Sequence, residues 1–186
     1  YHIDKNGGMI GKRKVLSKKG KILRRLLMNY DINMQTVMIE SNLIKRFSLS
    51  FDQELEFSPD YDLFMEIAVI SNIVSLDGYL SKYRIHCDSL TQKSQHLICK
   101  EGLHTLNRLK KKYENVFEKC RLPFKYARST FKIQEAIACL QSNNVLHARR
   151  VLLDEFPVNL KVLILLFLLH IKISPRFILI LIGRSK

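Results

Sequence analysis

The stretch Glu56-Phe57-Ser58-Pro59-Asp60-Tyr61-Asp62-Leu63-Phe64-Met65-Glu66-Ile67-Ala68 sets two carboxylates, Asp60 and Asp62, one residue apart at the mouth of an apolar helix. Pro59 favours a helix start, where its missing N–H costs nothing, and acids in a first turn face the positive end of the helix dipole. Leu63, Phe64, Ile67 and Ala68 recur at helical spacing and anchor the helix on a core. The carboxylate of Asp60 is then aimed by a rigid element. On this pattern alone it fits the capping or dipole-complementing role that an aspartate in a first turn ordinarily performs, with catalysis as the alternative.

Asp60 also lies inside a longer ordered series. Phe51-Asp52-Gln53-Glu54-Leu55, Pro59-Asp60-Tyr61-Asp62-Leu63-Phe64 and Tyr83-Arg84-Ile85-His86-Cys87-Asp88-Ser89 follow one another along the chain. The series resembles the second half of a family 2 inverting glycosyltransferase of GT-A fold. There the pattern runs Phe-Asp-x-x-Leu, acid-Asp-Tyr-Asp-Leu-Phe or Trp, and Tyr-Arg-x-His-x-x-Ser. Pro59 stands where the family places an acid.

The resemblance implies a role for each of these residues. Asp60 is the base that takes a proton from an acceptor hydroxyl, within hydrogen-bond reach of it. Asp62 orients the helix start or binds the acceptor. Arg84 grips the donor diphosphate through the two-point contact of a guanidinium. His86 hydrogen-bonds the diphosphate or completes a metal's coordination. Structural roles stand beside these: Arg84 paired with a surface acid, His86 capping a strand.

The resemblance further implies a nucleotide-sugar donor, a sugar or lipid-linked acceptor and a place in the synthesis of cell-surface polysaccharide or glycolipid. A divalent metal, Mg or Mn, is expected in the complete enzyme through an Asp-x-Asp motif. Apart from Asp60-Tyr61-Asp62 the chain has no such triplet. The nucleotide-binding half of the family has no counterpart between Tyr1 and Lys186, and the chain opens on Tyr rather than Met. A start partway through a longer protein is therefore expected, with no sugar transfer by these residues alone.

The elements that must position these groups are read from local pattern. Lys5-Asn6-Gly7-Gly8 supplies a hairpin turn between His2-Ile3 and Met9-Ile10. It lacks the spacing and the hydroxyl of a phosphate-binding loop. A helix is expected from Lys21 to Asn29, with Ile22, Leu23, Leu26 and Leu27 on one face and Arg24 and Arg25 turned away. Met34 to Glu40 reads as a strand, since Thr36, Val37, Met38 and Ile39 are β-prone. Ser41 to Phe47 reads as a short helix. Ile73-Val74-Ser75-Leu76 carries the signature of a buried strand, turned by Asp77-Gly78 into a second running from Tyr79 to Ile85.

From about Ser94 the period is helical. Leu97 to Cys120 is a long basic amphipathic helix ended by Leu122-Pro123-Phe124. Phe131 to Leu140 and Val145 to Phe156 form a helical hairpin capped by Pro157. These elements predict an α/β chain in three parts. Residues 1–92 form the acceptor-side half of a GT-A domain, the C-terminal part of its three-layer mixed sheet, with four or five strands. Residues 93–157 are a helical extension, and 158–186 an apolar-basic tail.

Charge is divided unevenly within a formal net of +14. Residues 1–30 hold nine Lys or Arg against one acid, residues 31–102 six against eleven, and residues 103–186 sixteen against five. Such ends suit anionic partners. Aromatic residues do not interleave with the basic runs and no nucleic-acid motif appears, so nucleic acid is not expected as a partner. Cys87, Cys99, Cys120 and Cys139 show no zinc or redox spacing and read as reduced thiols. The first 25 residues lack the apolar core of a secretory leader.

The tail is too short and too interrupted by Lys172, Pro175 and Arg176 to span a bilayer. Leu163 to Leu169 cover every side of a helix. The tail either lies in the plane of an anionic membrane surface or packs against the helical hairpin. The expected location is cytoplasmic, peripheral on the cytoplasmic face of the inner membrane. A non-catalytic basic membrane-peripheral or scaffold protein that keeps the motif as a relic is the alternative to an enzyme.

Overall fold

Residues 1–13, 19–86, 97–155, 160–171 and 173–183 are described by the computed structural model of this chain. Asp4 builds the first turn: its carboxylate accepts the amides of Asn6 and Gly8, each at 2.8 Å, while Gly7 takes φ 92°. β1 (His2–Ile3) therefore returns antiparallel to β2 (Met9–Gly11), as the turn sequence predicts. The remaining described strands are β3 (Lys19–Gly20), β4 (Ile73–Val74) and β5 (Tyr83–Arg84). They divide between two small sheets, in contrast to the single sheet expected: β2-β1-β5, with β1 and β5 parallel, and the antiparallel pair β3-β4.

Asp77-Gly78 does not join β4 to β5 as a hairpin. Ile73 packs on a core, but Val74 and Leu76 are exposed, so the run presents no continuous face to bury and each strand pairs elsewhere. Nor does Met34 to Glu40 form a strand. Asn33 accepts the Gln35 amide at 3.1 Å through its side chain and the Thr36 hydroxyl at 3.0 Å through its carbonyl, closing a 3-10 turn over Met34–Thr36. Local side-chain hydrogen bonds outcompete β propensity where no sheet face awaits filling, and Met38 is 97% exposed.

Helices dominate the rest. α1 (Leu23–Met28), α2 (Ser41–Phe47) and α3 (Pro59–Ile70) lie where their patterns place them. The long basic helix breaks at Tyr113 into α4 (Ile98–Lys112) and α5 (Glu114–Lys119). Pro123 sits in the first turn of α6 (Arg121–Gln141), where it needs no N–H partner, and starts a helix where it was expected to end one. α7 (Val145–Leu153) folds back on α6 to give the expected hairpin, with Asn143 at φ 59° and the Asn144 side chain accepting the His147 amide at 3.1 Å. Pro157 lies outside the described residues. α8 (Leu160–His170) and α9 (Pro175–Leu181) are the last helices among the described residues.

One core joins Leu23, Leu26 and Leu27 of α1, Tyr61, Met65 and Ala68 of α3, and Leu106 and Leu109 of α4 with Phe117 and Phe124. It crosses the expected boundary at residue 92. A second core joins the α6–α7 hairpin to the inner faces of α8 and α9. A third, smaller one places Leu49 against Leu63, Phe64 and Ile67 of α3.

At Gly102 the backbone of α4 admits no side chain: a Cβ there would meet Phe131 Cε1 of α6 at 2.3 Å. The Phe131 ring in turn packs edge-on against Tyr61 at 5.8 Å. Gly102→Ala is expected to lower stability by up to about 2 kcal/mol, an overpacking cost of about 1–3 kcal/mol less the ~1 kcal/mol alanine gains in helix propensity. A denaturant midpoint at or above the parent's would contradict this close approach.

Candidate functional site

The start of α3 is held by a carboxylate from another helix. Glu101, in the first turn of α4 and 5% exposed, accepts the amides of Glu56 at 3.0 Å, Phe57 at 3.1 Å and Ser58 at 2.7 Å, together with the Ser58 hydroxyl at 2.9 Å. Ser58 is the N-cap residue, yet its side chain caps nothing because the hydroxyl is turned to Glu101. The Glu101 charge thus sits at the positive end of α3, satisfied by charge-assisted bonds.

Asp60, immediately inside this end, is half-buried. Its Oδ1 accepts the Tyr61 amide at 2.8 Å, and among the described residues no other hydrogen bond or ion pair engages its carboxylate. The Tyr30 hydroxyl is buried without a hydrogen-bond partner among the described residues, and its ring packs edge-on against Tyr61 at 4.8 Å. Burial pushes the Tyr30 hydroxyl above the ordinary phenol pKa, and the negative charge of Asp60 pushes it further. Arg25, expected to turn outward, pairs with Asp31 beside this group.

Asp62 has a different fate. It is 3% exposed and accepts the Thr105 hydroxyl at 2.9 Å and a two-point contact from Arg108, Nε at 3.1 Å and Nη2 at 2.7 Å. One turn on, Glu66 receives Arg108 Nη2 at 2.8 Å, Lys112 Nζ at 2.7 Å and the Tyr113 hydroxyl at 2.8 Å. The acid stripe of α3 is thereby zipped to a polar stripe of α4. The network forms one wall of a cleft of about 390 Å³, whose other wall is the loop of Phe47, Ser48, Phe51 and Asp52.

Burial raises the Glu66 carboxyl, but hydrogen bonds from Lys112, Arg108 and Tyr113 outweigh it and hold the group below the usual carboxylate range. A lowered folded-state pKa contributes stability that is complete above the unfolded carboxylate value, about 4.3, and is lost as pH falls through the folded value. The acid limb of the stability profile is expected to flatten in Glu66→Gln. Parallel acid limbs for parent and variant would contradict the assignment.

Arg84 Nη1 donates to the carbonyls of Asp4 at 3.0 Å and Lys5 at 2.8 Å, so its guanidinium clamps the first hairpin turn, where a surface acid was the structural alternative. His86 is half-buried just past β5. No hydrogen bond or ion pair joins either to Asp60 among the described residues, and Cys87, Asp88 and Ser89 lie outside them. Cys99, Cys120 and Cys139 are free thiols. Burial and then Glu135 push Cys99 up to about 11. Among the described residues no group of three His, Cys, Asp or Glu could hold a metal ion.

Glu101, Thr105, Arg108 and Lys112 carry the site's support and were not singled out from sequence. Their spacing of four, three and four residues is a polar stripe at helical period, and Asp62 and Glu66, one turn apart on α3, are its complement.

Fold and site together define a mixed α/β chain in which a lightly engaged carboxylate stands at a helix start fixed by a second helix. No protein-family model, curated protein or solved structure matches the chain.

Proposed function

We propose that this chain is the acceptor-side portion of a GT-A glycosyltransferase that transfers a sugar from a nucleotide-sugar donor to an acceptor hydroxyl with inversion. One observation carries the reading: of the two acids at the start of α3, Asp62 is consumed by Thr105 and Arg108, whereas Asp60 keeps an oxygen free of other partners among the described residues. A base must offer such an oxygen to its substrate. In the proposed step Asp60 accepts the proton of the acceptor hydroxyl as that oxygen bonds to the anomeric carbon. The nucleoside diphosphate leaves from the opposite face with the bonding electron pair. Arg84 and His86 would support the departing diphosphate after release from the hairpin turn. Among the described residues no group forms a metal site, and the proposed step passes through none.

A second reading, a non-catalytic basic scaffold that retains the motif, is favoured by the engagement of Arg84 with the Asp4 and Lys5 carbonyls. Transfer from a labelled nucleotide sugar by the native protein containing this segment separates the two. A product of inverted anomeric configuration supports the enzyme, and retained configuration or no product contradicts it. The 186-residue chain alone is expected to give none.

A further inference from the structure

We propose that the outer faces of α8 and α9 form a docking surface that seats in the plane of an anionic lipid bilayer. This inference stands on the second core and its surface, independently of any sugar transfer. The inner face of α8 is Val162, Leu165 and Leu169, and that of α9 is Ile178 and Leu179, all packed with the α6–α7 hairpin. Packing against the hairpin, one of the two arrangements expected for the tail, uses only one face of each helix and leaves the other outward.

The opposite face of α8 and the turn after it is Leu160, Leu163, Ile164, Phe167 and Ile171, at intervals of three or four residues. On α9 it is Phe177, Ile180 and Leu181. Leu160 is 69% exposed and Phe167 62%. A helix against a water-facing core pairs an apolar face with a polar one. Here both faces are apolar, which leaves a contiguous patch of the kind that marks an interaction site.

Charge selects the occupant. From Phe156 to Lys186 the sequence holds five Lys or Arg and no Asp or Glu. Lys161 and Arg176 are exposed beside the apolar stripes at the starts of α8 and α9. Such a rim attracts anionic headgroups. Against a second copy of the same face it sets cation against cation. Among the described residues no helix is long and apolar enough to cross a membrane, so the pair would lie flat with its apolar side chains below the headgroups.

The chain contains no Trp, so Phe167→Trp supplies a single fluorescent reporter on this face. The 186-residue chain carrying it is mixed with vesicles of phosphatidylcholine alone or of phosphatidylcholine with phosphatidylserine. Expected are flotation with the anionic vesicles, a blue-shifted emission, and partitioning about tenfold weaker without phosphatidylserine. Phe167→Glu combined with Ile180→Glu should weaken binding by about tenfold or more, with the circular dichroism spectrum and melting temperature kept because both side chains point outward. No flotation with either vesicle would overturn the proposal, as would flotation undiminished in the double variant. A concentration-dependent dimer that stays off vesicles would assign the face to a second copy instead.

Discussion

Glu101→Ala is expected to cost about 3 kcal/mol of stability, because a buried charged acceptor serving several donors is removed and those donors are left unpaired. Three amides and one hydroxyl lose their partner together, all in the loop that leads into Pro59 and Asp60. The full sum of single bonds is not reached, since Glu56 is exposed and water replaces part of what is lost. Glu101→Gln keeps the shape but turns an NH2 group toward amide donors, and should fall between parent and Glu101→Ala. Denaturant unfolding measures the stability, and hydrogen exchange at the amides of Glu56, Phe57 and Ser58 locates the loss. A change within about 0.5 kcal/mol, or protection unchanged at those amides, would show that the carboxylate does not hold the start of α3.

What could be read from sequence is what is decided locally. Pro59, the acid pair and the apolar residues after them specify α3 within one segment, and the structure places the helix there. The first hairpin follows likewise from Lys5-Asn6-Gly7-Gly8, with Gly7 at positive φ, although the part of Asp4 in the turn was not read. Two errors share a cause in competing local signals: Asn33 closes a turn where β-prone residues suggested a strand, and Pro123 suits the start of a helix as well as the end of one.

The support of the site was not legible in that way. Asp62 and Arg108 are 46 residues apart, and nothing near Asp62 names its partner. Only the matched stripes of α3 and α4 could have joined them, and that requires knowing that the two helices pack. The tail shows a third case: a helix apolar all round is compatible with burial and with lipid. Packing on α6 and α7 settles one face and leaves the other outward.

Asp60→Asn carries the other large expected effect. The substitution keeps the shape and the Tyr61 amide contact while removing the carboxylate proposed to take the proton. Positioned base catalysis contributes about 10² to 10⁴ in rate, and turnover should fall by that order while donor affinity holds. Asp62→Asn is the comparison: it weakens the contact with Arg108, costs stability first, and affects turnover far less than Asp60→Asn does. The deciding measurement is the turnover number of the native protein containing this segment, parent against Asp60→Asn, with nucleotide-sugar affinity determined on the same samples. A fall of about 10² or more at unchanged donor affinity is the predicted result, and an Asp60→Asn protein that turns over at the parent rate would contradict the assignment of Asp60 as the base.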